Sequence, residues 1–365
     1  MPDAKDGGLN AKDDVLSDAL IIALDAMGGD DAPGVVIEGA ALAHVRHPEI
    51  RFQLHGDEAV LSLVLAKHVE LAAVCDIIHT DVVISPDMKP GQALRQGRTS
   101  SMGMAVTAVK DGHAAAAVSG GNTGALMALS KFILRTMPGI DRPALAALMP
   151  TIRGESVMLD LGANVECSAE NLVQFAVMGA AYSRLVLGLS RPKVGLLNIG
   201  SEDLKGHDTI RLAAEQLRNT ELPHEFVGFI EGDDIGHGTV DVVVADGFTG
   251  NIALKTTEGT AILIMELLGK AFKNSILSKL GYLLARGGLQ SLRNHMDPNT
   301  HNGGMMLGLN GLVIKSHGGA NASGYASAID VAIELAEGKL QERIADDLAA
   351  VEQVANTPPK EAAKV

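Results

Sequence analysis

Lys205, His207, Asp246 and Asn251 combine residue types and positions that could hold an anion and move a proton. In Asn198-Ile199-Gly200-Ser201-Glu202-Asp203-Leu204-Lys205-Gly206-His207 an apolar run ends and a glycine turn follows. Lys205 and His207 then stand just before a helical stretch. A lysine there can reach over a helix amino end and neutralise a bound anion. Taken alone, Lys205 is more simply a surface lysine paired with Glu202 or Asp203. In Asp246-Gly247-Phe248-Thr249-Gly250-Asn251 a carboxylate and an amide end a β-branched run and open a helix. Helix capping by Asp or Asn explains one such residue.

Capping does not explain why the same kind of turn recurs. Asp25-Ala26-Met27-Gly28-Gly29-Asp30 follows Leu20–Leu24, and Ser119-Gly120-Gly121-Asn122-Thr123-Gly124 follows Ala114–Val118. Asp160-Leu161-Gly162-Ala163-Asn164 follows a third run, so the polar turns number five. Each run reads as a strand buried on both faces, as in a parallel sheet. Each turn then falls at a carboxyl strand end, where open α/β sheets bind ligands. Gly admits close backbone approach, and Asn, Ser and Thr add donors without bulk. The expectation is one crevice suited to phosphate, lined by Asp25, Gly28, Gly29, Asn122, Thr123, Asn164, Asn198 and Ser201.

The elements that must position these turns alternate between strand and helix along most of the 365 residues. That pattern implies a layered α/β fold. Residues 1–18 read as a disordered acidic leader, 19–349 as the catalytic body and 350–365 as a flexible tail. Three prolines between Pro138 and Pro150 mark the place where the chain would cross between two lobes. The net charge of −14 and the absence of Trp argue against a nucleic-acid partner. Cys75 and Cys167 form no Cys-x-x-Cys pair and read as reduced thiols of a cytoplasmic protein. No dinucleotide fingerprint, phosphate loop or nucleophile elbow occurs, and the histidines fall at no metal-ligand spacing. The expectation is therefore no metal and no cofactor.

Residues 260–296 differ in character. Ile264, Leu268, Phe272, Ile276, Leu280 and Leu284 recur at every fourth position, an apolar ridge on one helix or on two broken near Gly269 or Gly281. Leu267 to Met296 contains no acidic residue, yet holds Lys270, Lys273, Lys279, Arg286 and Arg293. Periodicity alone favours packing on the core or a dimer partner over contact with anionic lipid or an acidic protein.

At these motifs the chain resembles the bacterial acyl-acyl-carrier-protein:phosphate acyltransferases, the PlsX family. The matching stretches run in the family's order from about residue 20 to 340. They include Leu24-Asp25-Ala26-Met27-Gly28-Gly29-Asp30, Gly121-Asn122-Thr123-Gly124-Ala125, Leu159-Asp160-Leu161-Gly162-Ala163-Asn164, Asp246-Gly247-Phe248-Thr249-Gly250-Asn251 and Ser316-His317-Gly318. The leader extends beyond the family's usual start, and Met305-Met306 stands where relatives often carry Ala-Pro. The resemblance implies a layered α/β/α fold with a mostly parallel sheet, like isocitrate/isopropylmalate dehydrogenases and phosphotransacetylases, plus a protruding amphipathic helical region. It implies transfer of a long-chain acyl group from acyl carrier protein to inorganic phosphate by a homodimer at the inner face of the cell membrane. Leu268, Phe272, Ile276, Leu280, Lys273 and Lys279 would then meet an anionic membrane surface. Lys205 would hold phosphate, Asp246 would take a proton or orient Lys205, Asn251 would stabilise an oxyanion, and His207 would help protonate the leaving thiolate. The alternatives are a short-chain acyl-coenzyme A enzyme of the same fold group and a non-enzymatic membrane scaffold.

Overall fold

The apolar runs pair into one sheet of eleven strands in the computed structural model, which describes residues 19–219, 223–295, 297, 299 and 302–355. The strands are β1 (Ile21–Asp25), β2 (Arg51–Gly56), β3 (Cys75–His79), β4 (Ala116–Ser119), β5 (Ala144–Thr151), β6 (Gly154–Leu159), β7 (Lys193–Leu197), β8 (Glu225–Ile230), β9 (Val242–Val244), β10 (Gly304–Leu307) and β11 (Leu312–Lys315). Their spatial order is β3-β2-β1-β4-β11-β10-β5-β6-β9-β7-β8. The helices are α1 (Gly34–Arg46), α2 (Glu58–Leu65), α3 (Val69–Ala72), α4 (Pro90–Gln96), α5 (Ser101–Lys110), α6 (Thr123–Leu134), α7 (Ala169–Val186), α8 (Asp208–Arg218), α9 (Gly232–His237), α10 (Gly247–Lys273), α11 (Ile276–His295), α12 (Ala322–Glu337) and α13 (Leu340–Ala355). The expected leader, 1–18, lies outside the described residues. Residues 350–355, expected as loose tail, continue α13, and 356–365 again lie outside the description.

Burial on both faces explains the unbroken apolar runs. Ile22 and Leu24 enter one core with α1, α7 and α12, while Ala23 between them enters another with α5 and α6. Likewise Val242 and Val244 face the first core, and Val243 faces a third beneath Met158 and Leu161. Successive strand residues point to opposite faces, so helices cover both sides. Each fully buried Val or Leu contributes roughly 1.5–3 kcal/mol. Met305 and Met306 lie in β10 and are buried in the core.

Two expectations change here. The stretch 138–150 does not simply link lobes: most of it is β5, in the middle of the sheet between β10 and β6. Prolines masked the strand, yet Pro143 precedes it, and Pro150 is partnered by Glu155 in an antiparallel pair. The sheet also reverses direction. β1 to β4, β11 and β5 run one way, whereas β10, β6, β9, β7 and β8 run the other, because β10 and the β5–β6 hairpin are antiparallel joins. The five turns therefore do not share one carboxyl edge. Hydrophobic periodicity fixes burial but carries no strand direction, so the sequence could not reveal the reversal.

The amphipathic region is a helical hairpin. α10 and α11 part at Asn274-Ser275, not at Gly269 or Gly281, since Ser275 Oγ accepts the Ser278 N–H at 3.0 Å and caps α11. The expected ridge divides there. Leu268 and Phe272 are half-buried and face inward, with Phe272 edge-on to Tyr282 at 5.6 Å, whereas Ile276, Leu280 and Leu284 are exposed. Among the described residues no helix is long and apolar enough to cross a membrane.

Candidate active site

One cavity of about 2060 Å³ lies between the helical hairpin and the middle of the sheet. β5 forms its floor through Leu145 to Thr151, and Met265, Leu268, Phe272 and Tyr282 form its apolar roof. Pockets for small ligands enclose roughly 300–1,000 Å³, so this cavity suits a longer, mostly apolar substrate. Its polar groups come from two sides. Thr123, Lys315 and His317 stand on one, and Gly162, Asn251 and Lys255 on the other. β11 and β6 are three strand spacings apart, about 14 Å at 4.7–4.9 Å each.

Of the candidates read from the sequence, Thr123 and Asn251 line the cavity. Asn251 has an exposed side chain without a hydrogen bond among the described residues, and it covers Gly162. Gly162 has φ +118°, a conformation that only glycine adopts freely, and an added Cβ there would stand 3.5 Å from Asn251. Four of the six residues assigned to the membrane, Leu268, Phe272, Lys273 and Lys279, also line it, whereas Ile276 and Leu280 do not.

Other candidates are committed to the fold. Asn122 caps α6 at the Ala125 N–H and donates to Pro86 O at 2.6 Å. Asp246 caps α10 at Thr249, accepting from N–H at 2.8 Å and from Oγ1 at 2.9 Å. Asn164 donates to Pro143 O and to Asp160 Oδ2, and Asn198 donates to Lys205 O. Ser201 and His207 are exposed, and His207 stands before α8 without making a side-chain cap. Lys205 is half exposed and reaches Glu202 at 4.0 Å. None of these lines the cavity. The turn holding Lys205, after β7, lies at the same sheet edge as the turns after β6 and β9, but its residues do not line the cavity.

Asp25, Gly28 and Gly29 form a second layer behind the cavity wall. Asp25 is buried, its Oδ2 accepts from Ser119 Oγ at 2.6 Å, and its Oδ1 has no partner. Burial pushes its pKa up, while the nearby donors of Ser101, Ser119 and the Met27 backbone and the charge of Lys315 pull it down. A Cβ on Gly28 would stand 2.3 Å from Asp25 Oδ2 and 2.9 Å from Gly121 N, so the two turns close only around glycine. The Asp30 N–H donates to Gly318 O at 2.9 Å and ties in the turn after β11.

Lys315, His317, Lys255 and Asp160 escaped the sequence reading of the site. Burial lowers Lys315 to about 8, against the opposing pull of Asp25 and Asp30, and Lys255 lowers it further. Lys315 ends an apolar strand before Ser316-His317-Gly318-Gly319, the same pattern as the five turns, and that repetition was the available signal. Asp160 accepts four donors: the N–H groups of Leu145, Ala163 and Asn164, and the Asn164 amide. Cys167 lies nearby, but burial and then Asp160 push its thiol up to about 11, so it stays protonated near neutral pH.

The family model for a fatty acid synthesis protein matches residues 20–343. The chain is 54% identical over 342 residues to a phosphate acyltransferase of Rhodospirillum rubrum, covering 94% of this chain and 98% of that one. It is 58% identical over 330 residues to a phosphate acyltransferase of Parvibaculum lavamentivorans, covering 90% and 91%. In fold it is similar to a phosphotransacetylase from Streptococcus pyogenes, with a TM-score of 0.57, 20% identity and coverage of 90% and 96%. The EutD phosphotransacetylase of Staphylococcus aureus gives 0.55 at 16% identity, again covering 90% and 96%.

Proposed function

This chain belongs to the fatty acid synthesis protein family of phosphate acyltransferases, and from that premise we propose that it moves a long-chain acyl group from acyl carrier protein to inorganic phosphate. The observation that carries the donor's class is the cavity, whose volume and apolar roof exceed the needs of a short acyl chain. The acyl chain lies under Met265, Leu268 and Phe272, and the thioester sits near Gly162 and Asn251.

A phosphate oxygen attacks the thioester carbonyl, a C–O bond forms, and the C–S bond breaks. Hydrogen phosphate brings one proton, and the departing thiolate receives it, so acyl phosphate and thiol form without net proton change. Phosphate is already anionic near neutral pH, so orientation contributes more than deprotonation. Asn251 donates to the developing oxyanion, an effect of roughly 3–4 kcal/mol for one strong donor. Asp246 fixes the first turn of α10 and so the direction of Asn251. Lys205 and His207, candidates read from the sequence, are surface groups of this chain and receive no role in this scheme.

The product feeds acylation of glycerol phosphate in phospholipid synthesis. Leu277, Leu283 and Leu284 on α11 are 81%, 63% and 82% exposed beside Lys279 and Arg286, which supports peripheral contact with an anionic membrane. A homodimer rests on the family resemblance alone.

The test is acyl phosphate formation by purified protein from a long-chain acyl carrier protein, with and without inorganic phosphate. Product that requires phosphate, and falls away with acetyl-coenzyme A, is the expected result. Equal turnover of acetyl-coenzyme A removes the long-chain reading. No product from either donor removes the enzyme reading.

A further inference from the structure

We propose that Lys315, with Lys255 opposite it, holds the phosphate nucleophile, and that Asp25 positions Lys315 through Ser119 and the Gly120-Gly121 turn. This assignment deepens the phosphate acyltransferase reading and rests on it.

Lys315 closes β11 on the cavity wall, and its side chain is largely buried there. Its ammonium donates to Gly120 O at 3.3 Å and to Ser316 O. A lysine has three donors, so one remains for a ligand. Lys255 lines the same cavity from α10, and its Nζ is 2.6 Å from Glu258 Oε2. Two ammonium groups facing one space repel each other unless an anion lies between them. A phosphate dianion matches that pair in charge and gains an ordered position between them.

The lysine is held from behind. β11 pairs with β4 so that Lys315 stands opposite Ser119, and the Ser316 N–H donates to Ser119 O at 2.9 Å. Ser119 Oγ donates to Asp25 Oδ2 and accepts the Gly121 N–H at 3.1 Å. That bond shapes the turn whose Gly120 carbonyl receives Lys315. Asp25 thus reaches the ligand only through the turn and through its field, and its second oxygen is buried without a partner. The charged and titratable groups acting on this cluster are Asp25 from β1, Asp30 from the following turn, Lys255 from α10 and Tyr325 from α12. His317 follows Lys315 and lines the same cavity.

The full-length protein and its Lys315→Gln, Lys315→Arg, Lys255→Gln and Asp25→Asn variants test this. Calorimetry with inorganic phosphate, without acyl donor, reads binding. Lys315→Gln should weaken it about tenfold or more, and Lys315→Arg should recover most of the loss. In steady state the KM for phosphate should rise by a similar factor, with the KM for acyl donor unchanged. Lys255→Gln, a change at an exposed side chain that leaves folding intact, should raise the phosphate KM about threefold to tenfold. Asp25→Asn removes a charge that favours protonated Lys315, so the alkaline limb of kcat/KM for phosphate should move roughly one pH unit lower. A merely structural role would lower the rate without moving that limb.

Phosphate binding that is absent from the wild type, or equal in wild type and Lys315→Gln, overturns the proposal. So does an unmoved limb in Asp25→Asn. Wild type that binds phosphate through Lys315 but transfers no acyl group leaves the site standing and removes the acyltransferase reading instead.

Discussion

Asp25 and Asp160 both end buried strands before a glycine turn, yet the fold uses them differently. Asp160 accepts four N–H donors and ties β5, the turn after β6 and Asn164 into one unit. Asp25 accepts from Ser119 and leaves one oxygen without a partner, with Lys315 close enough for its charge to be felt. A fully bonded buried carboxylate fixes geometry. A partly bonded one beside a buried cation retains electrostatic tension that a ligand can relieve. The same sequence pattern therefore yields a brace on one side of the cavity and a poised site on the other.

The largest expected effect tests the brace. Asp160→Ala strands four donors, and urea unfolding should show a loss of roughly 3–5 kcal/mol. Asp25→Asn should cost less than about 1.5 kcal/mol by the same measurement, because one oxygen already lacks a partner. Equal losses would erase the distinction. On the cavity side, Asn251→Ala should lower kcat about 10²–10³-fold with unfolding unchanged within about 0.5 kcal/mol. A wild-type kcat would remove Asn251 from the reaction.

Acid should weaken the Asp25 side. His55 pairs in register with Asp25, and both its ring nitrogens are buried without partners. Burial lowers it to about 4 from an ordinary 6.5. The unfolded chain therefore binds this proton first, and stability falls as pH drops from 6.5 towards 4. The loss is about 3 kcal/mol, the free energy of that shift. His224, also lowered to about 4 by burial and then by Arg184 and Arg191, adds a similar loss away from the site. Unfolding at pH 7 and 4.5 should separate the two, since His55→Gln flattens only one contribution. The raised pKa values of Asp25 and Asp160 act oppositely, stabilising the fold below their folded pKa values. The smallest effect belongs to the hairpin. Leu277, Leu283 and Leu284 changed together to Ser should leave unfolding within about 0.5 kcal/mol while vesicle binding falls. Vesicle binding at wild-type strength would remove these side chains from the membrane reading.

Much of the scaffold was legible. The runs Leu20–Leu24 and Ala114–Val118, expected as buried strands, are β1 and β4 to within two residues. Those segments carry their own signals in apolar runs and capping residues. β5 was hidden because its burial alternates irregularly and prolines bound it. Of the residues lining the cavity, the sequence pattern pointed to Asn251 and Thr123, whereas Lys315 was passed over as the last residue of an apolar strand.

By itself the sequence determined the family, the layered α/β class and the set of polar turns, because strand burial, capping and motif order are local properties of the chain. Only the tertiary structure decided which turns meet. Strand direction and the place of β5 depend on pairing between residues far apart, as where Lys315 faces Ser119 across the sheet. The same long-range pairing brings Lys315 and Lys255 to one cavity. Charge pattern cannot foretell such neighbours, because a lysine's role depends on the groups packed around it.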